Sequence, residues 1–82
     1  MSEFEKRKLE MALRDFTSRN FVRPSDCRDV TQTQFYVREL CLKIEEYESR
    51  FNFVPEWAYS MLSQYNLVQN KLIAVQSRHA VS

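Results

Sequence analysis

Two thiols, one imidazole and a run of carboxylates are the groups in this 82-residue chain whose types and spacing could do chemistry. Cys27, in "SDCRDV", stands just ahead of a helical pattern and beside Arg28. A helix N-terminus and a guanidinium both favour the thiolate, the reactive form of cysteine. Asp26 and Asp29 flank the same thiol and oppose that effect, so an ordinary loop thiol is the expectation. Cys41 falls on the apolar face of a helix and reads as a small core residue. His79, the one histidine, lies in the terminal "SRHAVS", and no motif couples a nucleophile to a base. Glu45, Glu46 and Glu48, in "KIEEYESR", read as a solvated helix face rather than an acid/base pair. No CxxC or Cys/His spacing suggests zinc, and two cysteines are too few for a disulfide scaffold. No catalytic, cofactor-binding or metal-binding residue is expected, and the chain is not expected to be an enzyme.

The cations offer a different chemistry. Lys6, Arg7, Lys8, Arg14, Arg19, Arg23 and Arg28 crowd the first third of the sequence, where they could meet phosphates. Glu3, Glu5, Glu10, Asp15, Asp26 and Asp29 are interleaved with them, and the net charge is only +1. A helix-turn-helix would need cations on its third helix, which offers Lys71 and Arg78 alone. A small helical DNA-binding regulator is therefore the alternative reading, and nucleic acid is not the expected partner.

What positions these groups is a set of helices. Glycine is absent, which argues against tight β-hairpins and against phosphate-cradling loops. Pro24 and Pro55 divide the chain into three segments, each long enough for a helix. Ser2 and Glu5 fit a capping box at the start of the first, expected over 3–19, with Leu9, Ala12, Leu13 and Phe16 on one face. Asp29 and Gln32 fit a second box at the start of the next, expected over 30–50. Its face is Val30, Thr33, Val37, Leu40, Cys41, Ile44, Tyr47 and Phe51. Pro55, well placed at a first helical position, opens a third helix expected over 55–77. Trp57, Met61, Val68, Leu72 and Val75 form its stripe, with Gln64 in the seam. Gln64 is expected at the edge of that seam, reaching water.

The connection between the second and third helices carries "FNFVPEWAY". Its rings, Phe51, Phe53, Trp57 and Tyr59, are expected to plug the closed end of an antiparallel helical hairpin. The competing reading is an exposed aromatic anchor for a partner. The expected fold is all-α, a small three-helix bundle over residues 1–82 as a single domain. The first helix packs on the hairpin or on another chain.

Each helix also carries apolar residues its stripe does not explain. These are Phe4 and Met11 on the first, Phe35 and Leu42 with Arg38 between them on the second, and Tyr59, Leu67 and Ile73 on the third. A packing explanation is a third helix using a second face of the hairpin. The functional explanation is a surface for a protein partner or a second copy, with Phe4, Met11, Phe35, Arg38, Leu42, Tyr59 and Leu67 as its candidates. A chain this short has a marginal core unless something supports it. A homodimer is thus expected. The expected role is a non-enzymatic adaptor or regulator, anti-activator or chaperone-like, acting by helix-mediated protein binding. No apolar run is long enough to cross a membrane and no signal-peptide pattern appears, so a cytoplasmic location is expected.

Overall fold

The structure, a computed structural model, describes residues 2–81, with side chains through residue 76. The expectations for His79 and Arg78 concern side chains outside the described residues. Three α-helices, α1 (Glu3–Asn20), α2 (Val30–Phe51) and α3 (Glu56–Val81), are joined by a linker containing a short 3₁₀ turn, Pro24–Asp26, and by a connection over 52–55. No strand is present among the described residues.

The caps explain where the helices begin and stop. Ser2 Oγ accepts from the Glu5 amide at 3.2 Å, closing the first turn of α1. Asp29 Oδ1 accepts from the Thr31 amide at 3.1 Å and starts α2. The expected reciprocal partner, Gln32, turns elsewhere: its amide donates to the Tyr36 hydroxyl at 3.1 Å. The last turn of α2 closes on Asn52, whose amide donates to the Glu48 carbonyl. Asn52 has φ 51° and ψ 38°, the left-handed conformation usually given to glycine. In a chain without glycine, asparagine is the residue that tolerates it best. Pro55 precedes α3, its carbonyl accepting from the Ala58 amide at 3.0 Å, so the helix begins one residue later than the sequence suggests.

With so short a connection, α2 and α3 reverse direction and pack together along their length. Helix α1 lies on this hairpin within the same chain, and long side chains bridge the gap. The Tyr47 hydroxyl donates to the Leu9 carbonyl at 3.1 Å, and Trp57 Nε1 donates to Glu10 Oε1 at 2.9 Å. Lys6 lies over the Phe53 ring near the turn, while the linker after α1 meets Tyr65. The radius of gyration is 15.0 Å, against about 12 Å for a compact domain of this length. The elongation arises because α1 covers the half of the hairpin nearest its turn, whereas α3, at about 1.5 Å per residue, runs well past it.

The core comprises Leu13, Cys27, Tyr36, Leu40, Ile44, Tyr47, Ala58 and Tyr65, with Thr17 and Thr33 buried beside them. Both threonines donate to carbonyls of their own helical segment, Thr17 to Arg14 and Thr33 to Asp29. Among the described residues no buried side-chain nitrogen or oxygen lacks a partner.

Several expected core positions differ. Ala12 is exposed because the buried face of α1 is centred on Leu13 and Thr17. Cys41 is half-buried, at the flank of a face centred on Tyr36, Leu40 and Ile44. The seam of α3 runs through Ala58 and Tyr65, one residue around from the expected stripe. Val75 is consequently exposed and Trp57 half-buried, while Gln64 reaches solvent as expected.

Candidate functional site

The aromatic centre of the molecule lies away from the hairpin turn. Phe21 stacks on Tyr36 with ring centroids 4.6 Å apart, and Tyr65 meets both rings edge-on at 5.9 and 5.5 Å. Phe16 extends the cluster through an edge contact with Phe21 at 5.7 Å. The rings expected to plug the hairpin are less enclosed. Phe51 packs edge-on against Tyr47 and, like Phe53 and Trp57, is half-buried, while Tyr59 is exposed. Pro55 and Ala58 are the buried residues of that end.

Cys27 lies in the wall of this cluster. Its thiol is buried and donates to the Arg23 carbonyl at 3.5 Å. Burial, and then the carboxylate of Asp26, push its pKa up from 9.0, so the neutral thiol is favoured over the nucleophilic thiolate. The phenols shift the same way. Burial raises Tyr47, with Glu46 adding to it. Burial raises Tyr65 to about 12, with Cys27 and Tyr36 adding to it. These groups are held in their uncharged forms, which suits hydrogen bonding inside a packed core.

All seven residues singled out in the sequence as surplus to the stripes or between them are at the surface: Phe4, Met11, Phe35, Arg38, Leu42, Tyr59 and Leu67. The apolar six range from 46% exposed at Tyr59 to 76% at Phe4. The structure does not gather them into one patch. On α1 and α2 they lie across the cylinder from the buried residues, so Phe4 and Met11 face away from the bundle on α1, as Phe35 and Leu42 do on α2, whereas on α3 Leu67 is opposite the seam and Tyr59 flanks the buried Ala58. Ile73, Val75 and Val22 are exposed as well.

A second surface has no counterpart in the sequence reading. Three shallow depressions share Arg14, one of them on α1 alone and two between α1 and α3. The first lies between Arg7, Glu10 and Met11, the second over Trp57, Met61 and Gln64, and the third reaches Arg23. The Arg14 guanidinium lies over the Trp57 indole at 5.4 Å. The visible signal was the two-turn spacing of Arg7 and Arg14, beside the apolar pair Phe4 and Met11 with the same period. Interleaved acids masked it.

Among the described residues no group of three or more His, Cys, Asp or Glu side chains could hold a metal ion, and no helix is long and apolar enough to cross a membrane. Comparison with known proteins finds no family model that matches the chain, and no similar curated protein or solved structure.

Proposed function

We propose that the protein is a small helical binding module, an adaptor or regulator that works by covering surface on another protein. The observation that supports this reading is the set of large apolar side chains left outside a completed bundle, one outward face on every helix. Isolated exposed apolar residues are ordinary. Pairs two turns apart on the outer sides of α1 and α2 are the pattern that helix-mediated recognition uses. The role is non-enzymatic and cytoplasmic, and self-association through one of these faces belongs to the same reading. Because the Phe4/Met11 and Phe35/Leu42 faces lie on different helices, a symmetric dimer through one leaves the other free for a heterologous partner.

The test is capture from a cell extract with the wild type and with two surface variants, Phe4→Ser/Met11→Ser and Phe35→Ser/Leu42→Ser. All four substitutions are at exposed positions, so each variant should keep the parent's circular dichroism spectrum, and Phe35→Ser/Leu42→Ser should melt lower only by what self-association through that face contributes. At least one variant should lose a protein that the wild type retains. Equal retention of every captured protein by all three forms overturns the reading.

A further inference from the structure

The groove between α1 and α3 has a chemistry that narrows the partner. Arg14 and Arg23 line it, Arg7 follows two turns along α1 in the adjoining depression, and none of the three forms an ion pair among the described residues. Elsewhere on the surface the paired cations are Lys6, Arg19, Lys43 and Arg50. Lys8, Arg28, Arg38 and Lys71 are also unpaired, but they do not line this groove. The carboxylate among the lining residues is Glu10, and it is engaged as the acceptor of the Trp57 indole proton. Between Arg14 and Arg23 the floor carries Met61 and the half-buried Trp57, while Met11 lies beside Arg7 on the outer side of α1. Three guanidiniums against one occupied carboxylate make a cationic rim around an apolar strip.

We propose that this groove docks an acidic amphipathic helix of a partner protein. The inference rests on the binding-module reading above and gives it a partner class. Arg7 and Arg14 are two turns apart, about 10 Å along α1. Carboxylates seven residues apart on a docked helix match that spacing, and each can accept a bidentate pair from a guanidinium. A large apolar residue between them, at the third or fourth position, falls over Trp57 and Met61. This is helix-in-groove recognition with charge setting the register.

Two other occupants fit less well. In a groove-to-groove pairing of two copies, the three arginines would meet a second cationic rim of the same sign. The outer face of α2, with Leu42 and Glu45, points away from the α1/α3 groove, which no α2 residue lines. Copies joined that way would form a heterologous, head-to-tail contact rather than a closed two-fold pair. A nucleic-acid strand would satisfy the arginines, but it brings no aliphatic side chain for Met61 and the edge of Trp57.

Trp57 is the single tryptophan of the chain and lies on the groove floor, so its emission reports occupancy. The probe is a synthetic tryptophan-free helical peptide with Glu at i and i+7 and Leu at i+3 and i+4. The control replaces both Glu with Lys. The acidic peptide should shift Trp57 emission saturably, with a Kd below about 1 mM, and the lysine peptide should not. Arg7→Glu and Arg23→Glu, neither of which stacks on Trp57, should each weaken binding by about tenfold or more while the circular dichroism spectrum stays that of the parent. Arg14→Glu should do the same, provided its spectrum is also unchanged. Added salt should weaken binding.

Absence of saturable binding by the acidic peptide overturns the inference, as does equal binding by the lysine peptide or by both Arg7→Glu and Arg23→Glu. Tighter binding of a mixed-sequence RNA or DNA 20-mer than of the peptide also overturns it and assigns the groove to nucleic acid. A failed peptide experiment, beside the loss of a captured protein by the outward-face variants, would discard the groove and leave the binding module standing.

Discussion

Tyr65 donates its phenolic proton to the backbone carbonyl of Val22, 43 residues earlier in the chain. The amide of that same Val22 faces the Tyr36 hydroxyl at 3.4 Å. Two tyrosines from the two arms of the hairpin thus grip both backbone polar groups of one linker residue. The linker has no regular hydrogen-bonding pattern of its own at Val22, so its position depends on these phenols. They fix where α1 ends relative to α3, and so set the width of the groove between them.

Tyr65→Phe keeps the ring and removes the donor. It should cost about 1 kcal/mol, the usual net worth of one hydrogen bond, and lower the melting temperature accordingly. The pH dependence gives a second readout. Because the Tyr65 pKa rises from 10.0 to about 12 on folding, the folded chain keeps a proton that the unfolded chain releases. The stability contributed by this group is complete below pH 10 and is lost as pH rises toward 12. Tyr65→Phe should therefore flatten the alkaline limb of the stability curve. An alkaline limb as steep in the variant as in the wild type would show that another group controls it.

The helices were legible because their signals are local. Ser2, Asp29 and Pro55 mark three starts, and the period of Leu9, Leu13 and Phe16 or of Leu40, Ile44 and Tyr47 marks the inner faces. The rotation of α3 was not legible. Trp57 is a stronger apolar signal than Ala58, and Tyr65 carries a hydroxyl, so the sequence pattern points one residue away from the true seam. What decided the matter is tertiary: Ala58 is small enough to let α2 approach, and the Tyr65 hydroxyl finds Val22 in a linker distant in sequence. The outward residues were legible as surplus to the stripes. The arginine groove was not, because Glu10 cancels charge in the sequence but is turned toward Trp57 in the fold.

Trp57 offers a test of that rotation. A fully buried large aromatic truncated to alanine costs about 3–5 kcal/mol. Trp57 is half-buried, so Trp57→Ala should cost about 2 kcal/mol, followed by circular dichroism during urea unfolding. Trp57→Phe retains most of the packing and loses the Glu10 bond, and about 1 kcal/mol is expected. A loss above about 4 kcal/mol for Trp57→Ala would return Trp57 to the core.

Asn52 should be tuned by backbone preference alone, since its side chain is exposed. Asn52→Gly should be neutral or slightly stabilising in its left-handed conformation. Asn52→Val should destabilise by about 1–2 kcal/mol, the cost of a Cβ branch in that region. Equal melting temperatures for the two variants would mean that α2 ends differently in solution.

The two thiols should differ in reactivity. Cys27 is buried, hydrogen-bonded and raised in pKa, whereas Cys41 is half-buried. Iodoacetamide at neutral pH should therefore modify Cys41 first, with Cys27 reacting at a rate limited by opening of the linker. Mass spectrometry of peptides over a time course separates the two. Faster labelling of Cys27 would restore the activated-thiol reading.

Self-association is decided most directly on the outer face of α2. Phe35 and Leu42 lie two turns apart there, both at least half exposed. In an antiparallel two-fold contact, Phe35 of one copy can meet Leu42 of the other, giving a closed pair from one self-complementary patch. Leu42→Glu places a carboxylate in the contact without a partner, a strongly unfavourable change at a desolvated interface. In a monomer the same substitution lies on a solvated helix and changes stability by no more than about 0.5 kcal/mol. The wild type should therefore sediment as a dimer at high concentration. Leu42→Glu should sediment as a monomer and melt at a lower temperature that no longer depends on protein concentration. A wild type that stays monomeric, with Leu42→Glu as stable as its parent, would free this face for a heterologous partner and end the dimer proposal.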